Sequence, residues 1–295
     1  MSAPVAVVIC TRDRPLLLRT AVDAALAAIR HDDELVVVDS ASRDSSAVTH
    51  ARAAGVRVVR VEQPGLSRAR NAGIAATDAP IIAFTDDDCR PAPGWTEALS
   101  EPFEDPRVGF ATGRVEADRS GRMSVSVMVD DEGRRMGAGF DPFLAGVGAN
   151  MAVRRVACEG IAGGTGASAF DERLGAGARL RAGEDVDVWW RLLQAGWEGV
   201  YAPRALVTHE QWRNDAQAFR LAYGYGLGAG ALAAKAMREH REGGLAMLGR
   251  RLWSDGVLRS LRDLRAGYQT GAAFSLLQAA GTLSGAVQAL RWSAR

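Results

Sequence analysis

The chain has 295 residues, of which 47% are hydrophobic and 24% are charged, so it can bury a large core in one domain and still carry an appendage. A formal net charge of +1 gives no electrostatic case for a nucleic-acid partner. The three cysteines lack C-x-x-C spacing, which argues against a zinc site and a disulfide framework and fits a reducing compartment.

The first 90 residues alternate between short apolar runs and helical patterns. The apolar runs are typical of buried strands and occur at residues 5–9, 35–38, 56–62 and 81–84. Helical patterns occur between them at residues 15–29, 45–54 and 65–77. This alternation predicts an α/β fold with a mainly parallel central sheet, flanked by helices and built with right-handed crossovers. The first strand begins without a charged leader or cleavage signal, so we expect a cytoplasmic protein.

Beyond residue 91 the pattern loosens and then recovers. We predict a strand at 108–117 and a long loop region at 118–148, which has weak periodicity. A helix is predicted at 183–196, because acidic residues open it and Gly196 ends it. A strand that ends at His209 follows the helix.

The C-terminal part is predicted to be helical from about residue 215. Five arginines alternate with apolar residues at 250–265, a basic amphipathic pattern. Residues 271–290 carry no charge, yet their glycines and polar residues make a poor bilayer span. We expect this segment to pack on the domain or to lie on a membrane surface. In the second case, residues 250–292 would contact the inner face of the membrane peripherally.

Polar clusters follow three of the predicted strands, namely "CTRDR" at 10–14, "DSASRD" at 39–44 and "TDDD" at 85–88. Ligands of such sheets bind outside the carboxyl ends of the strands. Asp86 and Asp88 are two residues apart and are expected to point to one side, with Asp87 facing away. Mg²⁺ or Mn²⁺ bound to a phosphate would offset these carboxylates. The alternative interpretation is an acidic turn solvated at the surface.

These clusters and later motifs occur in an order that resembles one family. "CTRDR", "VVVDSASRD", "GLSRARNAGI", "FTDDDC", "GANMAVRR", "GEDVDVWWRLLQAG" and a lone His209 resemble the family 2 inverting glycosyltransferases, which have the GT-A fold. The resemblance covers roughly residues 4–212. It implies a GT-A domain at 1–212, with a nucleotide-sugar-binding half at 1–115, an acceptor and catalytic half at 116–212, and a helical extension at 213–295.

The resemblance also implies roles for particular residues. Asp185 is the candidate general base, with Glu184 beside it. The metal, Mn²⁺ or Mg²⁺, would be held by Asp86, Asp88 and His209. The residues that would contact the nucleotide sugar are Thr11, Arg12, Asp39, Arg70, Asp86, Asp87, Gly148 and Asn150. Each position also has a purely structural interpretation, such as a helix cap, a tight turn or a solvated helix face.

The activity implied is metal-dependent, inverting transfer of one sugar from a UDP- or dTDP-type donor to an acceptor hydroxyl. The acceptor would be a cell-envelope glycan, a lipid-linked intermediate or a small natural product, and an oligomer is compatible with the sequence. No Q-x-x-R-W motif is present, so a single transfer is favoured over polymerisation. The alternatives are a nucleotidyltransferase or pyrophosphorylase and a non-catalytic nucleotide-sugar-binding protein. "CTRDRP" lacks the glycine and lysine of the phosphate loop that the former enzymes usually carry.

Overall fold

The computed structural model describes residues 3–118, 124–162, 168–239 and 243–291. Within these residues, nine strands form one sheet. The strands are β1 (Val5–Thr11), β2 (Glu34–Ser40), β3 (Arg57–Val61), β4 (Ile81–Asp86), β5 (Cys89–Pro91), β6 (Val108–Ala117), β7 (Arg134–Met136), β8 (Asn150–Arg154) and β9 (Glu198–His209).

The sheet is parallel in its first half and mixed in its second. Its strand order is β3-β2-β1-β4-β8-β6-β9-β5, and β7 pairs with β9 outside this path. All pairs from β3 to β4 are parallel, as the sequence predicted. Beyond β4, only the β6–β9 pair is parallel, and β8, β5 and β7 run antiparallel to their neighbours. The predicted α/β class is confirmed.

Strand β1 shows why helices cover both faces of the sheet. Its residues are all buried, and they alternate between two core clusters. Val7 and Ile9 pack in the cluster that contains Leu18, whereas Val8 packs in the cluster that contains Trp189. Because successive side chains of a strand point to opposite faces, a continuous apolar run requires an apolar layer on each side.

The helices begin and end at sequence signals. Pro15 opens the first helix, where its fixed φ suits the first turn. Gly196, with φ of 88°, follows the helix that was predicted to end there. The helices are α1 (Pro15–Ala28), α2 (Thr49–Ala53), α3 (Leu66–Ala75), α4 (Trp95–Ser100), α5 (Arg155–Ala162), α6 (Glu184–Gln194), α7 (Asp215–Arg238), α8 (Gly244–Gly249), α9 (Arg259–Arg265) and α10 (Gln269–Leu290), with a π-helical segment at Arg250–Leu258.

The segment that was predicted to be a long loop, residues 118–148, contains little regular structure. It contributes the short strand β7 and a 3₁₀ turn at Pro142–Leu144. Met128 also forms an isolated bridge with Val115 of β6. Residues 119–123 of this prediction lie outside the described residues.

The chain divides into two compact units. The first contains Met1–Asp171 and Asp185–Gln211, and the second contains Glu172–Glu184 and Trp212–Arg295. The sequence did not anticipate that residues 172–184 belong with the C-terminal helices. The assignment of residues 1–212 and 213–295 to two functional domains stays a prediction.

In the second unit, α7 and α10 approach each other through glycines. A Cβ atom at Gly226 would overlap the carbonyl oxygen of Gln278, and one at Gly230 would overlap that of Thr282. Gly281 and Gly285 of α10 face the α7 backbone in the same way. Small residues at such a contact allow two helix backbones to come close. Among the described helices, none combines the length and apolar character that crossing a bilayer requires.

Candidate active site

Two loops at the carboxyl ends of β1 and β2 are hydrogen-bonded to each other. The amide of Asp13 donates to Ser42 Oγ at 2.9 Å, and the amide of Arg43 donates to Asp13 Oδ1 at 2.8 Å. Asp13 and Ala41 both have φ of 56°, which is uncommon for residues other than glycine. Such strained backbone persists where surrounding contacts over-determine it, which is common beside ligand sites.

Asp39, a predicted donor contact, is buried at the end of β2. Its Oδ1 accepts from the amide of Ser42 at 2.9 Å, and its Oδ2 accepts from Arg60 Nη1 at 2.5 Å. Arg60 also donates to the carbonyl of Ser42 at 3.1 Å. Hydrogen bonding to Asp39 raises the pKa of Arg60 above its ordinary value. Arg60 was missed from the sequence, because nothing in "RVVRV" indicates that it pairs with Asp39.

Asp87 is turned toward the β1 loop and is buried. Its Oδ2 accepts from Thr11 Oγ1 at 2.7 Å, and its Oδ1 accepts from Arg14 Nη1 at 2.8 Å. Arg14 Nη1 lies 3.7 Å from Asp88 as well. Burial raises the pKa of Asp87 to about 6, and the charge of Arg14 opposes this rise.

These contacts correct the orientation that the sequence predicted for Asp87. Asp87 does not face away from its neighbours, because the strand ends at Asp86 and the alternation of side chains does not continue through the turn. The hydroxyl of Thr11 donates to the carboxylate of Asp87, so we expect both residues to position the loop, and their contact with the nucleotide stays a prediction. Arg12 is exposed beside them and stays the predicted base contact.

Arg70 is buried almost completely, which rules out a solvated helix face. Its Nη2 donates to the carbonyl of Gly148 at 3.1 Å and lies 3.5 Å from Asp86 Oδ1. The rings of Phe84 and Phe170 flank its guanidinium, with centroids 5.8 and 5.5 Å from Cζ. This geometry favours Arg70 as the residue that positions Asp86 and Gly148, and its direct contact with a donor stays a prediction.

Asn150 lies inside the core at the start of β8. Its Nδ2 donates to the carbonyls of Arg114 and Ala205 at 2.8 and 2.7 Å, and its Oδ1 accepts from Trp95 Nε1 at 2.8 Å. A fully buried amide with these partners cannot reach a sugar without breaking them. We therefore expect Asn150 to hold strands together, and its contact with a donor stays a prediction.

Gly148 brings the candidate base close to the acidic edge of the sheet. A Cβ atom built on Gly148 would lie 2.5 Å from Asp185 Oδ2, so only glycine allows the carboxylate to approach this closely. Asp185 stands in the first turn of α6 and is half-buried, and its Oδ1 accepts from the amide of Val186 at 2.8 Å. Glu184 precedes it and is buried. Asp187 pairs with Arg191 Nε at 2.9 Å instead.

Strand pairing brings Asp88 and His209 together although they lie far apart along the sequence. Strand β5 runs antiparallel to β9 with Cys89 opposite His209, and the amide of Glu210 donates to the carbonyl of Asp88 at 2.8 Å. As a result, His209 Nε2 lies 3.3 Å from Asp88 Oδ1, and both side chains are buried.

The other side of the His209 ring is also held. Its Nδ1 lies 3.2 Å from the carbonyl oxygen of Val125 and 2.8 Å from Gln211 Nε2. Gln211 Oε1 accepts from the amide of Val125 at 3.1 Å, which fixes that segment against the ring. Histidines that bind metals are commonly oriented by such contacts to the second ring nitrogen. Gln211 was missed, although its place two residues after His209 is a local signal that the two side chains can share one side.

The residues fit a divalent cation. Among the described residues, Asp88, Cys89 and His209 offer ligand atoms within 4.8 Å of one another. Burial raises the pKa of the Cys89 thiol well above its ordinary value, and a soft sulfur ligand suits Zn²⁺ or Cu⁺ rather than Mn²⁺ or Mg²⁺. A carboxylate and an imidazole remain, which suit Mn²⁺ better than Mg²⁺. Asp86 is not in this group, so its role as a ligand stays a prediction.

Comparison with known proteins gives this geometry a context. The chain is 34% identical over 158 residues to the Pre-mycofactocin glycosyltransferases of Mycobacterium tuberculosis strains CDC 1551 and H37Rv, a match that covers 50% of this chain and 30% of each relative. The crystal structure of GalNAc-T7 with UDP, GalNAc and Mn²⁺ superposes with a TM-score of 0.54 at 16% identity, covering 72% of this chain and 44% of that one. This likeness shows the GT-A fold that the sequence predicted.

The sequence model of one family spans the strands and loops that form the acidic edge. The model of Glycosyl transferase family 2 matches residues 6–161, a range that contains the β1 and β2 loops, the three adjacent aspartates and Gly148. Because this match covers more than half of the chain, the chain belongs to glycosyl transferase family 2.

Proposed function

We propose that the chain is a metal-dependent inverting glycosyltransferase that moves one sugar from a UDP- or dTDP-type donor to an acceptor hydroxyl. The observation that carries this proposal is the meeting of Asp88 with His209 at the edge of the sheet. The chain of contacts from Asp86 through Arg70 and Gly148 to Asp185 supports it. The GalNAc-T7 crystal structure contains UDP and Mn²⁺, which favours the same donor and metal classes.

Asp88 and His209 would hold the cation, with Asp86 as a further carboxylate nearby. A divalent cation supplies positive charge that stabilises the departing nucleoside diphosphate. Arg12 and Asp39 are the proposed contacts to the base and ribose, because they stand at the ends of the first two strands.

Asp185 is the proposed general base. The acceptor oxygen attacks the anomeric carbon as the bond from that carbon to the diphosphate oxygen breaks on the opposite face. The acceptor's proton passes to the Asp185 carboxylate, and the configuration at the anomeric carbon inverts. General-base assistance of this kind contributes roughly 10²–10⁴-fold to the rate. Glu184 is the second candidate, since it is adjacent in the first turn of α6.

The acceptor classes remain those that the sequence suggested: an envelope glycan, a lipid-linked intermediate or a small natural product. Pre-mycofactocin, the substrate in the relatives' name, is the first acceptor to test. The match covers 30% of the length of these relatives, so their acceptor is a starting point for assays.

The test is a panel of nucleotide sugars measured by thermal shift, with and without Mn²⁺. A donor present at 100 times its Kd stabilises the protein by ~2.7 kcal/mol. We expect UDP- or dTDP-sugars to raise Tm only when Mn²⁺ is present. The Asp185→Asn variant should retain this shift and lose turnover by roughly 10²–10⁴-fold. A shift with ATP or CTP and none with any nucleotide sugar would instead support a nucleotidyltransferase.

A further inference from the structure

The positive charge of the chain is concentrated in its C-terminal helices. Residues 243–291 contain six arginines and two aspartates, so this segment has a formal charge of +4 although the whole chain has +1. One of the aspartates, Asp255, pairs with Arg251 at 3.0 Å. The second unit therefore presents an excess of arginine.

Three of these arginines stand on α9 and are exposed, namely Arg259, Arg262 and Arg265. Within the described parts of the chain, no ion pair to a carboxylate is formed by any of the three. Ser260 and Gly256 are buried, which places the exposed arginines on the solvent side of this helical stretch.

Large apolar side chains are exposed among the same arginines. Trp253 is 60% exposed and Tyr268 is 67% exposed, and Leu261 and Leu264 are exposed between them. Single exposed apolar residues are common on proteins, but several close together in the chain and interleaved with arginine form a patch. We call the residues Trp253, Arg259, Leu261, Arg262, Leu264, Arg265 and Tyr268 the basic–apolar surface.

We propose that the basic–apolar surface binds the surface of an anionic lipid bilayer. Arginine charge is complementary to anionic headgroups, and each cation near such a surface adds to binding. Trp and Tyr suit the headgroup level because each ring has an apolar body and a polar atom, and the leucines can enter the acyl boundary. A purely apolar patch would be compatible with a second copy of the chain, but the three exposed arginines would repel their counterparts across such a contact.

This inference does not rest on the proposed function, because lipid binding is measured without donor, acceptor or metal. The test is flotation of the full chain with vesicles of phosphatidylcholine, with and without phosphatidylglycerol. We expect the chain to float only with the anionic vesicles, and to dissociate when salt rises from about 0.05 M to about 0.5 M, because salt screens exposed charges.

Two variants separate the charged and apolar contributions. The first variant combines Arg259→Gln, Arg262→Gln and Arg265→Gln. It should lower the partition coefficient of the chain between anionic vesicles and water by about 100-fold, because each cation strengthens binding roughly fivefold. Trp253→Ala with Leu264→Ser should lower it by at least about tenfold, through lost apolar burial. The matched control replaces three exposed arginines of the first unit, Arg19, Arg52 and Arg57, by Gln, and should bind as the unchanged protein does.

Several outcomes would overturn the proposal. They are equal binding to neutral and anionic vesicles, no binding to either, or equal losses in the α9 triple variant and its control. Sedimentation provides a second measurement. A dimer that Trp253→Ala with Leu264→Ser abolishes, in a chain that does not float, would assign the surface to self-association instead.

Discussion

The two units differ in what they bury. In the first unit, charged side chains lie deep in the structure with charged or polar partners, including Asp39 with Arg60, Asp87 with Arg14 and Asp88 with His209. In the described residues of the second unit, the buried polar side chains other than Glu184 are the hydroxyls of Ser260, Ser275 and Thr282. Its two longest helices are held instead by glycines that meet backbone.

This difference indicates which of the two units can hold a reaction site. Burying an ionised group is costly unless it is paired, so a set of paired buried charges at one sheet edge is a feature that folding alone does not need. A glycine contact between two helices needs no functional explanation, because the close packing of the two backbones itself stabilises the fold. Four substitutions test this contrast between the two units.

Arg70→Met removes the most deeply buried cation of the first unit. Because the substitution leaves the carbonyl of Gly148 and the carboxylate of Asp86 without this partner, we expect a loss of about 3–5 kcal/mol in the free energy of unfolding. Hydrogen exchange of peptides from β4 and from residues 145–150 would measure it. Arg19→Met on the exposed face of α1 is the control and should change stability by less than about 0.5 kcal/mol. A loss below about 1 kcal/mol for Arg70→Met would show that buried pairing is not what stabilises this edge.

Asp88→Asn tests the metal site. We expect the Kd for Mn²⁺ to rise by at least about 100-fold, since even the residues around metal ligands change affinity by 10–100-fold. Mn²⁺ titration followed by electron paramagnetic resonance measures the affinity without a substrate. Cys89→Ser is the matched control: the thiol is adjacent, but sulfur is softer than the oxygen and nitrogen ligands that Mn²⁺ prefers, so the Kd of this variant for Mn²⁺ should stay within about threefold of the unchanged protein's. If Cys89→Ser weakened binding as strongly as Asp88→Asn, the sulfur would be a ligand and the assignment would be wrong.

Gly230→Ala tests the close approach of helices in the second unit. The added Cβ would overlap the carbonyl oxygen of Thr282, so α7 and α10 must separate, at a cost of about 1–3 kcal/mol. Gly224→Ala stands on the same helix, and its nearest neighbour would be Arg181 Cβ at 3.5 Å, an ordinary contact. That control should leave stability unchanged or raise it by up to about 1 kcal/mol through better helix propensity. Hydrogen exchange of α7 and α10 peptides measures both, and equal effects would contradict the packing argument.

Asn214→Ala tests the start of α7. Asn214 accepts from the amide of Gln217 at 3.0 Å, and Gln217 Oε1 accepts from the amide of Asn214 at 2.9 Å. Losing this capping box should cost about 1 kcal/mol in the stability of the first turns. Asn214→Asp keeps an acceptor at the same position and should cost much less. Exchange rates of amides in residues 215–220 would separate the two variants, and similar rates would argue that the cap does not hold the helix.

Much of the sheet could be predicted because its signal is local. The apolar runs that became β1, β2 and β4 carry buried residues on both faces, and the loops after them carry the polar residues that gather at the edge. The mixed half of the sheet could not be predicted in the same way. Strand β5 has three residues, and nothing in "CRP" indicates that it pairs with β9.

The candidate site shows the same limit at single residues. Asp39 and Asp88 could be named from the order of motifs, but their partners Arg60 and Arg14 could not, because arginines of equal chemistry occur throughout the chain. Asn150 shows how much the fold adds to a motif. Its place in a motif indicated a ligand contact, whereas the fold turned its amide into the core.

The α/β class and the glycosyltransferase family follow from the amino-acid sequence alone, because hydrophobic periods and motifs are short local patterns and the order of the motifs is read directly along the chain. The three-dimensional fold is needed to know that Asp88 lies beside the imidazole of His209 and that Arg14 and Arg60 pair with Asp87 and Asp39. It is also needed to know that Gly148 leaves room for the carboxylate of Asp185. Those facts depend on strand pairing and on side-chain volume across long separations. A local pattern of residues does not contain that information.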